Sequence, residues 1–111
     1  MLRVASFVIA MSVGVATSAM AQDAKATGEQ VYTAQKCSVC HSIAGKGGKS
    51  SPLDGVGAKL SADDIRQWIV DPVAMAKKSN STKKPPMPAK YGKLPAADLD
   101  ALVAYMATLK K

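Results

Sequence analysis

Cysteine, histidine and aromatic residues are all scarce in this chain of 111 residues. It has two cysteines, Cys37 and Cys40, and one histidine, His41. Two cysteines three positions apart cannot link distant parts of the chain by a disulfide, and three such ligands are one short of a tetrahedral structural zinc site. Aromatic residues make up only 5% of the chain. The composition therefore predicts that something besides side chains helps to fill the interior of a small domain.

Residues 1–21 have the pattern of a secretory signal peptide. Arg3 supplies a positive charge, residues 4–16 are apolar, and small residues lead to a cleavage-like sequence at Ala19-Met20-Ala21. The apolar stretch is shorter than the ~20 residues of a spanning helix, although a retained membrane anchor is the alternative. We expect cleavage after Ala21, export to the periplasm and a single domain over residues 22–111 with no stable membrane insertion.

Negative charge is in deficit. Lysine and arginine number 15 against 8 acidic residues, which gives a net charge of +7, and loss of Arg3 with the signal peptide would leave +6. Nucleic acid is not an expected partner for an exported protein. The basic excess therefore predicts either a well-solvated surface or docking onto an acidic protein.

Apolar periodicity predicts three helices, and no alternating pattern of useful length predicts a strand. The first helix is expected from about Gly28 to Lys36. The second should begin at Ser61, whose hydroxyl can cap it, and end at Asp71-Pro72. The third should run from near Pro95 to Leu109, with an apolar stripe facing the core. That stripe consists of Leu99, Leu102, Val103 and Met106.

Two long loops are expected between these helices. Residues 45–60 are rich in glycine and lysine, and residues 77–93 place three of the six prolines around Met87. Loops of this length without regular structure are uncommon in compact domains and are usually functional or disordered. A buried ligand would explain both loops, so the sequence predicts an all-α domain wrapped around a cofactor.

The stretch from Cys37 to His41 reads C-x-x-C-H. A thioredoxin-like dithiol would need a strand before the motif and a βαβ scaffold around it, and a plain disulfide between the cysteines would not explain the histidine. Attachment of haem c explains all three residues. Each thiol forms a thioether with a haem vinyl group, and the histidine lies under the iron as an axial ligand. We predict one covalently bound haem c.

Four features together resemble the small single-haem class I c-type cytochromes of bacteria. They are KCSVCH after a short helix, Ser51-Pro52-Leu53, a methionine among prolines in PPMPAKYGKL, and the closing helix LDALVAYMATLKK. The resemblance extends from about Gly28 to Leu109. It implies a small cytochrome c fold, with three main helices and long loops wrapped around one covalently bound haem. It also implies an electron carrier of a respiratory chain, not an enzyme.

The second axial ligand decides whether the iron is open to small molecules or closed for electron transfer. A second histidine is excluded because His41 is the only one, which leaves Met75, Met87 and Met106 after export. Met106 completes the apolar stripe of the last helix and should be core, and Met75 remains an alternative. Met87 lies between two prolines that restrict its loop, at the position of the family's methionine ligand. We therefore predict iron ligation by His41 and Met87.

The resemblance also assigns supporting residues. Pro52 is similar to the family's proline whose carbonyl accepts a hydrogen bond from Nδ1 of the iron-bound histidine, and Leu53 would line the haem pocket. Trp68 is expected to contact haem or to fill the core. The family's helix-crossing contacts are matched by Gly28 and Tyr32 on the first helix and by Leu102 and Tyr105 on the last.

The function expected from the resemblance is that of a periplasmic one-electron shuttle, present as a monomer. Its partners would be redox proteins with acidic docking surfaces, such as a dehydrogenase, oxidase or reductase. Six lysines flank the predicted ligand loop and could steer such partners, although they could equally keep a loop solvated. They are Lys77, Lys78, Lys83, Lys84, Lys90 and Lys93. The alternatives are a cytochrome subunit of a dehydrogenase complex and, if Met87 is labile, a ligand-binding or peroxidase-like haem protein.

Overall fold

A computed structural model describes residues 27–111, so the predicted signal peptide and the start of the domain at residue 22 lie outside the described residues. The described chain is mostly helical, as expected. Its α-helices are α1 (27–34), α2 (Val56–Lys59), α3 (Ala62–Val70), α4 (Pro72–Lys78) and α5 (Ala96–Ala107), and 3-10 helices cover Cys37–Val39 and Ala89–Lys93. None of the helices between residues 27 and 111 has both the length and the apolar character needed to cross a membrane.

The prediction for α3 is confirmed at both ends. The Ser61 hydroxyl accepts a hydrogen bond from the Asp64 amide at 3.1 Å, and Asp63 and Asp64 lie in the first turn, where the helix dipole favours negative charge. The helix ends at Val70, as Asp71-Pro72 predicts. The same pair also begins α4, which the sequence analysis missed.

Helix α4 begins because Asp71 and Pro72 are as good at starting a helix as at stopping one. The Asp71 carboxylate accepts a hydrogen bond from the Ala74 amide at 3.2 Å, and Pro72 occupies the first helical turn, where its missing N–H costs nothing. Met75 therefore lies on a helix and not in a loop.

Helix α5 forms the centre of the core, and its predicted apolar stripe is confirmed. Pro95 occupies the N-cap position and makes no side-chain hydrogen bond, so α5 begins without a side-chain cap. The stripe and its neighbours on α1 and α3 form one buried cluster. Its members are Val31, Tyr32, Ile65, Ile69, Leu99, Leu102, Val103, Tyr105 and Met106.

Helices α1 and α5 cross at the predicted residues. A Cβ placed on Gly28 would lie 2.3 Å from the Ala101 carbonyl oxygen and 2.4 Å from the Tyr105 Cβ, so only glycine allows this approach. The rings of Tyr32 and Tyr105 meet edge to face, with centroids 6.0 Å apart and planes at 74°.

The expectation that the chain has no strands is wrong in detail. Three short strands, β1 (His41–Ile43), β2 (Lys46–Gly47) and β3 (Ser51–Pro52), form a sheet in the order β2-β1-β3. Strand β1 pairs antiparallel with β2 and parallel with β3. Strands of two or three residues are too short to produce an alternating pattern, so periodicity could not predict them.

The two predicted loops are therefore shorter than expected. Residues 45–60 contain β2, β3 and α2, and the second loop is bounded by the end of α4 at Lys78 and the 3-10 helix Ala89–Lys93. The run without helix or strand that remains there is 79–88, which includes Met87. The first helix ends at residue 34, earlier than predicted, because Lys36 takes the left-handed φ of 57° that turns the chain into Cys37.

Candidate haem site

The two cysteines lie on one tight turn between α1 and the sheet. Cys37 begins the first 3-10 helix, and the Cys40 amide donates a hydrogen bond to the Cys37 carbonyl at 3.2 Å. Both side chains are half-buried, and both thiols are free. Two neighbouring free thiols on a short, ordered turn suit the formation of two thioethers to one haem.

The alternatives to haem attachment find no support in the described residues. The segment before Cys37 is helical, where a thioredoxin-like site would have a strand. Between residues 27 and 111, no group of three or more His, Cys, Asp or Glu side chains is placed to hold a metal ion. The donor set of two thiols followed by one imidazole fits haem c.

His41 is held in place through one ring nitrogen. Its Nδ1 lies 2.9 Å from the Ser51 carbonyl oxygen. Because a carbonyl oxygen can only accept, Nδ1 carries a proton and donates, and in the neutral imidazole Nε2 then keeps its lone pair. The half-buried imidazole is therefore in the tautomer that can bind iron through Nε2, with a hydrogen bond that raises its basicity as a ligand.

The assignment of the Pro52 carbonyl to this hydrogen bond is wrong. The parallel pairing of β1 with β3 places His41 opposite Ser51 and Ser42 opposite Pro52, so the carbonyl nearest the imidazole is that of Ser51. Pro52 itself is exposed. The register is fixed on either side by the Ser51 and Leu53 amides, which donate to the Cys40 and Ser42 carbonyls at 3.3 and 2.8 Å.

A set of partly buried apolar residues packs against the core. It consists of Cys37, Ile43, Leu53, Val56, Leu60, Met87, Tyr91, Leu94, Ala107 and Leu109. Leu53 and Met87 belong to this set, as a pocket lining and a ligand would. Trp68 is half-buried and lies outside both groups, and its role as a haem contact or a core residue stays a prediction.

The three candidate methionines occupy different environments. Met106 is only 5% exposed within the core cluster, which confirms its expected role in packing. Met87 is half-buried and packs against the core from the loop 79–88, and Met75 is half-buried on α4. The choice of Met87 as the iron ligand stays a prediction.

Two tyrosines have hydroxyl groups whose pKa is raised by burial and by the charge of the cysteines. Burial raises the pKa of the Tyr32 hydroxyl to about 12, and negative charge on Cys37 adds to the increase. Burial likewise raises the pKa of Tyr91, again with contributions from Cys37 and Cys40. The Tyr32 hydroxyl also donates a long hydrogen bond of 3.4 Å to the His41 carbonyl.

Cys37 is itself partly desolvated. Burial is the main reason that its pKa is raised, and the neighbouring Cys40 adds to the effect. A thiol in this state is mostly neutral at ordinary pH. Thioether formation removes this titration, because the sulfur no longer carries a proton.

Sequence reasoning missed the positions of Ser51 and Tyr91 in this site. Ser51 enters through a backbone carbonyl, to which its residue type gives no clue. Tyr91 lies in the 3-10 helix Ala89–Lys93 and packs against the same core as Cys37 in the tertiary fold. The only signal for Tyr91 in the sequence is that it follows the predicted ligand Met87 by four residues.

Comparison with known proteins identifies the family of the chain. Residues 25–110 match the sequence model of the family Cytochrome c, which covers more than half of the chain and includes every predicted site residue. No curated protein and no solved structure gave a significant match. Members of this family carry covalently attached haem c, typically act as electron carriers and are usually exported. The chain therefore belongs to the cytochrome c family: it is a haem c-binding electron-transfer protein, and its small size fits class I of the family.

Proposed function

We propose that this protein is a periplasmic one-electron carrier whose haem iron is bound by His41 and Met87. The observation that carries the proposal is the state of His41: Nδ1 is engaged by the Ser51 carbonyl at 2.9 Å, so Nε2 is left to bind the metal. When bound, the haem supplies a reversible ferric/ferrous couple. The residues of the chain hold it, set its ligands and exclude water.

Each residue has a distinct part in this proposal. Cys37 and Cys40 would hold the group covalently, and His41 would supply the imidazole ligand. Met87 would supply a thioether, a soft ligand that favours ferrous iron and raises the potential. Leu53 is half-buried and packs against the core, where it would keep water from the site. If His41 and Met87 both bound the iron, no position would be left for a substrate, which favours a carrier over an enzyme.

The methionine loop suits a ligand that must not move. Pro86 and Pro88 fix φ on both sides of Met87 and limit the conformations available to the loop. Met75 is held on α4 by the helix itself and is the alternative ligand. These features support Met87 as the iron ligand, and Met75 provides the matched control in a mutational test.

The surface around this loop favours acidic partners. Lys77, Lys78, Lys83, Lys84, Lys90 and Lys93 are all exposed. The Lys90 ammonium lies 5.3 Å from the centre of the Tyr91 ring, and Tyr91 packs against the same core as Cys37 and Met87. Positive charge near the site would steer acidic redox proteins toward it and make association sensitive to salt. We further propose that the protein works as a monomer that docks transiently.

The test is an optical spectrum of the exported holoprotein in both oxidation states. Thioether ligation gives the ferric protein a weak charge-transfer band in the red. We expect the native protein to show this band, Met87→Ala to lose it and Met75→Ala to keep it. Loss of the band in Met75→Ala with retention in Met87→Ala would instead make Met75 the ligand.

A native protein without the band would contradict the closed-iron proposal. Rapid carbon monoxide binding to its reduced form would then favour the ligand-binding alternative. Purification with a catalytic partner at fixed stoichiometry would favour the role of a dehydrogenase subunit.

A further inference from the structure

A lysine in the loop 79–88 makes a contact that its charge alone does not explain. The Lys83 ammonium donates a hydrogen bond of 2.9 Å to the carbonyl oxygen of Ser50, 33 residues away in sequence. In the described part of the chain, the other hydrogen bonds of the loop stay within it or return to α4. The bond from Lys83 to Ser50 is therefore the one hydrogen bond that links this loop to a distant segment of the described chain.

Ser50 belongs to the segment that orients His41. Its hydroxyl donates to the Cys40 carbonyl at 3.2 Å, and the Ser51 amide donates to the same carbonyl at 3.3 Å. The Ser51 carbonyl, one peptide further, accepts the hydrogen bond from His41 Nδ1. Lys83 is thus bonded to a backbone that is itself fixed to the haem-binding turn.

The other end of the link is close to Met87. Lys83 precedes Met87 by four residues. Pro85 and Pro86 lie between them, and Pro88 directly follows Met87. Proline has no N–H, so at these three positions the backbone cannot donate a hydrogen bond to the rest of the protein. Few backbone donors therefore remain in this stretch, and Lys83 supplies a donor from its side chain.

We propose that Lys83 is a positioning residue that ties the Met87 loop to the His41 segment and so holds the two axial ligands at a fixed separation. This inference rests on the proposed ligation by His41 and Met87. Thioether binding to ferric iron is weak, so the closed state depends on the loop staying in place. Without the link the loop would leave the iron more often, and an external ligand would enter more readily.

The experiment measures imidazole binding to the ferric holoprotein at neutral pH. The form of imidazole that binds iron is the small, uncharged base, so the loss of one positive charge has little direct effect on its binding. The test variant is Lys83→Ala, and the matched control is Lys84→Ala, which removes the same charge from the neighbouring residue. The Lys84 side chain makes no hydrogen bond in the described structure, and Lys83→Arg restores a cationic donor.

We expect Lys83→Ala to bind imidazole about three- to tenfold more tightly than the native protein, the change expected from loss of one hydrogen bond to a charged donor at an exposed position. The red charge-transfer band should weaken in Lys83→Ala and recover in Lys83→Arg. Lys84→Ala should stay within about twofold of native. A denaturant midpoint measured by far-ultraviolet circular dichroism checks that the variants have the same global stability.

Two outcomes overturn the inference. Equal imidazole affinities of Lys83→Ala and Lys84→Ala would show that only charge matters, and a parallel loss of global stability in Lys83→Ala would show a general structural role. Both differ from failure of the proposed function, in which the native protein itself lacks the charge-transfer band.

Discussion

Gly28 on α1 lies against the carbonyl oxygen of Ala101 on α5, and a Cβ placed on Gly28 would be only 2.3 Å from that oxygen. The neighbouring atom is backbone in the middle of a buried helix, so it cannot move aside without shifting α5. The crossing of the first and last helices therefore depends on the absence of a side chain at this position.

Gly28→Ala should lower the free energy of unfolding by about 1–3 kcal/mol, the usual cost of overpacking a close contact. This loss should outweigh the gain in helix propensity that alanine brings. Chemical denaturation followed by circular dichroism measures it. Glu29→Ala, on the exposed side of α1, is the control and should change stability by less than about 0.5 kcal/mol. Equal effects of the two substitutions would contradict the tight crossing.

Alkaline pH should destabilise the fold in part through Tyr105. Its side chain is 9% exposed, and burial raises its pKa above the usual 10.0, with a smaller contribution from Glu29. Because the folded state then holds the proton more tightly than the unfolded state, stability is fully present below pH 10 and declines as pH rises above 10 through the folded-state pKa. Tyr105→Phe should reduce the slope of unfolding free energy against pH in that range. An unchanged slope would mean that Tyr105 titrates normally.

The ion pair between Arg66 on α3 and Asp100 on α5 should contribute little. The two side chains are 36% and 65% exposed, so solvent screens their attraction although the atoms are in contact. A double-mutant cycle with Arg66→Ala and Asp100→Ala should give a coupling energy of about 0.2–1 kcal/mol that falls with added salt. A salt-independent coupling above about 2 kcal/mol would show that the pair is better shielded than its exposure indicates.

The lysines near the site should govern reactions with charged oxidants. Replacing Lys84 and Lys90 with glutamine should slow oxidation of the reduced protein by ferricyanide at low salt by about twofold or more, because an anionic oxidant is attracted to positive charge near the site. The control replaces Lys59 and Lys110, which are exposed and carry the same charge. Stopped-flow rates at several ionic strengths provide the measurement. Equal slowing in both pairs would indicate that only net charge matters.

The sequence predicted most reliably where the signal is local. The hydroxyl of Ser61 caps α3 and the stripe from Leu99 to Met106 is buried in α5, because a cap and a helical period both act within a few residues. Gly28 was matched correctly because close approach of two helices leaves few choices besides glycine.

The failures have an equally physical basis. Asp71-Pro72 was interpreted only as a stop, although the same two residues can cap and begin a helix, and α4 was missed as a result. The strands of two or three residues carry no period. Similarity to the family predicts that the Pro52 carbonyl accepts the hydrogen bond from His41. The register of β1 with β3 instead places the Ser51 carbonyl next to the imidazole.

The sequence by itself determined the chemistry of this protein: one C-x-x-C-H motif contains both cysteines and the only histidine, so covalent haem attachment needs no residue from elsewhere. Only the tertiary structure decided how that chemistry is supported. It selected the Ser51 carbonyl for His41, packed Met87 against the core and brought Lys83 to Ser50. These relations join segments that are 10 or more residues apart, and their geometry is set by strand register and helix packing, which no local pattern records.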